Sequence, residues 1–110
     1  MMQKYQGDIS IISSKKVEEM SKDKVFTKLP IGGLVVAEGE TTGHKHILVA
    51  EPRADIEIAQ DQFGYFVKVN SGRAMLKHDK HAEIVLEPGI SFIGSQWEYS
   101  EIEKLRKVQD

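Results

Sequence analysis

Short segments in which hydrophobic and polar residues alternate recur along this chain. Side chains of a β-strand point to opposite faces in turn, so alternation over a few residues predicts a strand with one buried face. Gly, Pro, Asn and Asp separate these segments at intervals of roughly 8 to 12 residues, the spacing typical of sheets built from hairpins. The pattern predicts strands over residues 8–13, 34–37, 46–51, 54–60, 65–69, 73–77, 83–86 and 90–99.

Two places depart from simple alternation. Residues 14–24 are rich in Lys and Glu, and both a single amphipathic helical turn and a solvated loop fit them. Val17 and Met20 are three residues apart, the spacing that puts two side chains on one face of a helix. The last predicted strand contains Gly94, and glycine weakens a strand interior, so we expect an interruption there.

The end of the chain predicts a short C-terminal helix over residues 99–108. Ser100 is a suitable N-cap, and Glu103 follows three residues later, as in a capping box. Many short strands with turns between them, and no alternation of long helices with strands, indicate an all-β fold. We therefore predict a single β domain over 1–110, built as a small antiparallel barrel or sandwich.

Composition narrows the function classes. The chain has 110 residues and a formal net charge of -2. It lacks the high pI and the clustered Lys and Arg residues of a general nucleic-acid-binding protein. It has no apolar run long enough for a signal peptide or a membrane span, so we expect a cytoplasmic protein without a membrane partner. It also has no cysteine, which excludes disulfides and thiolate metal sites. Any metal must therefore be held by nitrogen and oxygen ligands.

The four histidines of the chain fall into two tight clusters. His44 and His46 are separated by one residue, and that spacing on a strand aims both imidazoles to the same side. His78 and His81 are separated by two residues, which would put them on opposite faces of a straight strand. The Asp-Lys pair between them favours a turn, and a turn could bring both rings together.

These residues suggest a metal site. Imidazole is a good ligand for zinc, iron, manganese and nickel, so we predict a divalent transition metal bound by His44, His46, His78 and His81. Glu40 is the carboxylate that could join them. Four bound histidines would close the shell around a structural ion, whereas three would leave a position open for chemistry.

Two further carboxylates and two cations lie near the histidines in the sequence. Glu38 and Glu83, like Glu40, could be ligands or general acid/base groups. Glu38 and Glu40 could equally form a charged strand face, the interpretation we favour for Glu38. Lys45 and Lys80 would repel a metal ion, but alternation should turn Lys45 to the opposite face of its strand.

An interpretation without a metal stays open. The histidines could be exposed, or could form a pH-responsive polar cluster, in a non-catalytic accessory or assembly module of a phage or bacterium. Such a module would bind a protein partner or form a homo-oligomer. No nucleophile elbow surrounds a serine, and no phosphate-binding glycine loop is present, so catalytic residues are unassigned.

The motifs resemble those of a family of small, uncharacterised bacterial and bacteriophage proteins. The resemblance is carried by TGHKH at 42–46, HDKH at 78–81, LEPG at 86–89 and QWEY at 96–99. It extends over most of the chain, from Gly7 to Val108.

A second, partial resemblance is to the cupins, small β-barrels with a histidine-rich metal site. It is carried by His44, His46 and a later Pro-Gly turn. The cupin motif has a glutamate a few residues after the paired histidines, where Glu51 is one step late. It also has a histidine after the Pro-Gly turn, where this chain has Phe92. The resemblance implies a cupin-like architecture but not a cupin reaction.

Overall fold

The computed structural model describes residues 2–38 and 44–95, which form two antiparallel sheets and one short helix. The strands follow one another with short turns, as the alternating pattern predicts. In chain order the elements are β1 (Met2–Gln6), β2 (Ile9–Ser13), α1 (Lys15–Ser21), β3 (Thr27–Lys28), β4 (Leu34–Glu38), β5 (Lys45–Ala50), β6 (Asp55–Asp61), β7 (Gly64–Ser71), β8 (Ala74–Lys77), β9 (Ile84–Leu86) and β10 (Gly89–Ser95).

The two sheets pack face to face as a sandwich. One sheet has the strand order β1-β2-β10-β7-β6-β3 and the other β4-β5-β8-β9. Within the described residues neither sheet closes on itself, so the sandwich form of the prediction is confirmed and the barrel form is not. The core between the sheets is aliphatic and consists of Ile9, Ile11, Val36, Leu48, Ile56, Val67, Val69, Ala74, Leu76, Leu86 and Ile93.

The helix α1 covers the outer face of the six-stranded sheet. Its N-cap is Ser14, whose hydroxyl accepts a hydrogen bond from the backbone N–H of Val17 at 3.1 Å. Val17 and Met20 pack in a second apolar cluster with Phe66 and Phe92. The helical alternative for this segment is therefore the correct one, because its two apolar residues share a buried face. Among the described residues, no helix is long and apolar enough to cross a membrane.

Gly94 does not interrupt the last strand, and this corrects the prediction. It lies within β10, opposite Ser10 of β2. A Cβ atom on Gly94 would lie 2.8 Å from the carbonyl oxygen of Phe63, so glycine here allows two backbones to approach closely. Residues 96–99 and the predicted helix at 99–108 lie outside the described residues.

The hairpin between β1 and β2 was not predicted, and it matters for the site. Its loop is the two-residue turn after Gln6, with Gly7 at a φ of 61° and Gln6 paired with Ile9. Positive φ at the first loop position alone is the pattern of a type II′ turn, which glycine favours. The turn buries the Gln6 side chain, which is 2% exposed, at the edge of the core.

Candidate metal centre

The site lies at one edge of the four-stranded sheet, where the start of β5 is beside the end of β8. Strands β5 and β8 are antiparallel, and Ile47 pairs with Lys77. The residues before β5 therefore lie beside the residues after β8. This register brings His44 and His46 alongside His78, although 32 residues or more separate them in sequence.

The four histidine rings form one cluster with His78 at its centre. The ring centroid of His78 lies 4.4 Å from that of His46, 5.8 Å from that of His44 and 4.7 Å from that of His81. A bend over residues 79–81 turns the chain back, so the two histidines of the HDKH segment share a side as predicted. Burial differs within the cluster: His46 is 1% exposed, whereas His81 is on the surface.

Asp79 adds a carboxylate to this cluster. His44 Nδ1–H donates to both carboxylate oxygens, at 2.9 and 3.0 Å, and His78 Nδ1 lies 3.4 Å from Oδ1. Among the described residues, one group of potential ligand atoms lies entirely within 4.8 Å of one another, and it consists of His44, His78 and Asp79. His46 and His81 contact the ring of His78 but do not belong to this group.

A buried glutamine orients His46. The Gln6 Nε2 group donates to the backbone carbonyls of Leu76 at 2.8 Å and Ala82 at 2.9 Å. Both amide protons are thereby used, so Oε1 is the acceptor facing His46 Nδ1 at 2.8 Å. His46 must therefore carry its proton on Nδ1, which leaves the Nε2 lone pair free. Through these two bonds, Gln6 also connects the backbone before His78, at Leu76, with the backbone after His81, at Ala82.

The charges favour a neutral His46 beside an ionised Asp79. Burial lowers the pKa of His46, the proximity of His78 and His81 acts in the same direction, and Asp8, 3.7 Å from Nε2, opposes them. The hydrogen bond from His44 lowers the pKa of Asp79. At neutral pH the cluster therefore offers a neutral imidazole and a carboxylate, which are the forms that bind metal ions.

Among the other residues considered from the sequence, Glu38, Lys45 and Glu83 are described by the structure. Glu40, the predicted carboxylate ligand, lies outside the described residues. Glu83 is exposed and lies 3.6 Å from Lys77 Nζ, so it has a cationic partner. Glu38 is exposed at the end of β4, opposite Lys45 on β5. Lys45 is on the face away from His46, as alternation requires.

The chain matches one family model over most of its length. A model described as a domain of unknown function, DUF8820, covers residues 5–96. The chain belongs to this family. No curated protein and no solved structure matches it. All residues of the histidine cluster lie inside the region matched by the DUF8820 model. The likeness to cupins and to phage proteins stays a prediction.

Three residues of the site were missed from the sequence. Asp79 stands inside the HDKH motif, and its position between two histidines was a signal for a ligand as well as for a turn. Gln6 and Asp8 flank Gly7, and this Gln-Gly-Asp segment was a signal for a tight hairpin. Nothing local indicated that this hairpin would lie against the histidines.

Replacing Gly7 with alanine should disturb His81 specifically. Gly7 has a φ of +61°, and a Cβ atom there would lie 2.9 Å from His81 Nε2. Gly32 is a matched control, because its φ is +91° and a Cβ atom would meet nothing within 4 Å. We expect each alanine to cost about 1–2 kcal/mol of stability through backbone strain. Only Gly7→Ala should also shift the imidazole signals of His81 in a ¹H–¹⁵N spectrum, and unchanged signals would contradict this contact.

Proposed function

We propose that this chain binds a divalent transition metal ion at His44, His78 and Asp79. The observation that carries the proposal is the convergence of their ligand atoms within 4.8 Å. Two imidazoles and one carboxylate suit zinc, iron, manganese and nickel, and a set of this kind is also found at open iron(II) sites. The absence of cysteine leaves these nitrogen and oxygen donors as the ligands that the sequence can supply.

The surroundings of the three groups support the proposal. The buried His46 is held in one tautomer by Gln6, as metal-site histidines are held by groups outside the ligand shell. Its free Nε2 and the exposed His81 are in reach of the ring of His78, so either could add a ligand. Three protein ligands leave positions for water or substrate, which would permit Lewis-acid or water-activating chemistry.

The test is metal analysis of protein purified without a histidine tag or a metal column. We expect about one equivalent of zinc, iron, manganese or nickel per chain, or binding of about one equivalent when each metal is titrated in. Asp79→Asn should weaken binding by about 10- to 100-fold or more. Asp55→Asn is the control, because Asp55 is a carboxylate on β6 that pairs with Lys28 and is not in the cluster.

Two results would overturn the proposal. One is that the purified protein contains no metal and binds none on titration. The other is equal metal affinity in Asp79→Asn and Asp55→Asn. Either result would favour the interpretation of the histidines as a polar cluster in a non-catalytic binding module, and would direct the search to protein partners.

A further inference from the structure

An open groove of about 370 Å³ leads to the candidate metal centre from the outer face of the four-stranded sheet. At one end it reaches two of the proposed ligands, His78 and Asp79. Its other lining residues are Lys45, Ile47 and Lys77. A molecule in this groove would therefore touch both the proposed metal ligands and two ammonium groups.

The two lysines lie on the same face of adjacent strands. Ile47 pairs with Lys77, and Lys45 is two residues before Ile47, so the lysines are diagonal neighbours across β5 and β8. The Lys77 ammonium pairs with Glu83 at 3.6 Å, but both side chains are exposed, so water screens this ion pair. Lys45 has Glu38 as its cross-strand neighbour but forms no ion pair within the described part of the chain. Two like charges placed side by side favour an anion between them.

We propose that this groove binds a small organic acid, with its carboxylate at Lys45 and Lys77 and its aliphatic part on Ile47. The lysine methylene groups and Ile47 give the groove apolar walls, while the ammonium groups supply charge at the rim. The inference rests on the proposed function, because the groove ends at His78 and Asp79. Asp79 repels an anion until a cation neutralises it, so a bound divalent metal should strengthen binding.

The test is an NMR titration of ¹⁵N-labelled protein, both metal-free and loaded with zinc. The probe is butyrate, with butyramide as the uncharged analogue and inorganic phosphate as a second anion. Butyrate should shift the amide signals of Lys45, Ile47 and Lys77, more strongly with zinc and more weakly at high salt. Lys45→Gln and Lys77→Gln should each weaken butyrate binding by about two- to fivefold. Lys22→Gln, an exposed lysine after α1, should not change it.

The outcomes separate this inference from the proposed function. Suppose that zinc binds, but that butyrate does not bind or binds the three lysine variants with equal affinity. The proposed metal site would then be supported and the organic-acid groove would be overturned. If zinc does not bind, lysine-dependent butyrate shifts in the metal-free protein would still support the groove, and their absence would overturn it as well. Equal binding of butyramide would overturn the role of charge, and tighter binding of phosphate would overturn the organic acid as ligand.

Discussion

Replacing Gln6 with alanine is expected to lower the free energy of unfolding by about 2–4 kcal/mol. The side chain is 2% exposed and makes three hydrogen bonds, to His46, Leu76 and Ala82. Alanine would leave the Nδ1–H group of the buried His46 without its acceptor, and a buried unsatisfied donor costs more than a lost surface bond. Urea denaturation of metal-free protein measures this change.

The same substitution should weaken metal binding by about 10- to 100-fold, the usual effect of losing a group that orients a histidine in a metal site. Gln3→Ala is the matched control, because Gln3 is on the same strand, β1, and points to the other face. Gln6→Glu separates the two roles of the amide. It keeps an acceptor for His46 but places a carboxylate against the carbonyl oxygens of Leu76 and Ala82, so it should also be destabilising at neutral pH. Wild-type stability in Gln6→Ala would show that this network is not important.

Replacing His78 with alanine should reduce metal affinity by more than about 100-fold, since it removes a ligand rather than a supporting group. His78 is the ring that contacts His44, His46 and His81. Zinc titration in competition with a chelator measures the loss. Thermal unfolding gives a second measurement, because an ion that binds only the folded state raises the melting temperature. Zinc should raise the melting temperature of the wild type and leave that of His78→Ala almost unchanged.

His81→Ala is the comparison that identifies the ligand set. His81 is exposed and lies outside the group formed by His44, His78 and Asp79. We expect it to weaken metal binding by less than about tenfold. An equal loss in both variants would mean that His81 is also a ligand, as in the four-histidine shell that was one of the two alternatives from the sequence. No loss in either variant would mean that the cluster does not bind metal.

Much of the fold could be predicted from the sequence because its signals are local. Alternation has a period of two residues in any strand, whichever strand pairs with it, so β5 to β9 were found to within a few residues. The strand β3 was missed because it has only two residues, both exposed. The strand β1 was missed because just one of its residues, Gln6, is buried, and that residue is polar. An alternating hydrophobic pattern cannot reveal such a strand.

The sequence by itself determined the two pairs of histidines that could act together. The tertiary structure decided which other residues contact them. The spacing of His44 and His46 and the turn before His81 are properties of a few consecutive residues. The register of β5 against β8 then joined the two clusters, and the hairpin that carries Gln6 was folded against them. The ring contact between His46 and His78 links residues 32 positions apart, and the hydrogen bond from Gln6 to Ala82 links residues 76 positions apart. Sheet pairing and burial determine such contacts across the whole molecule, so no local pattern could have contained them.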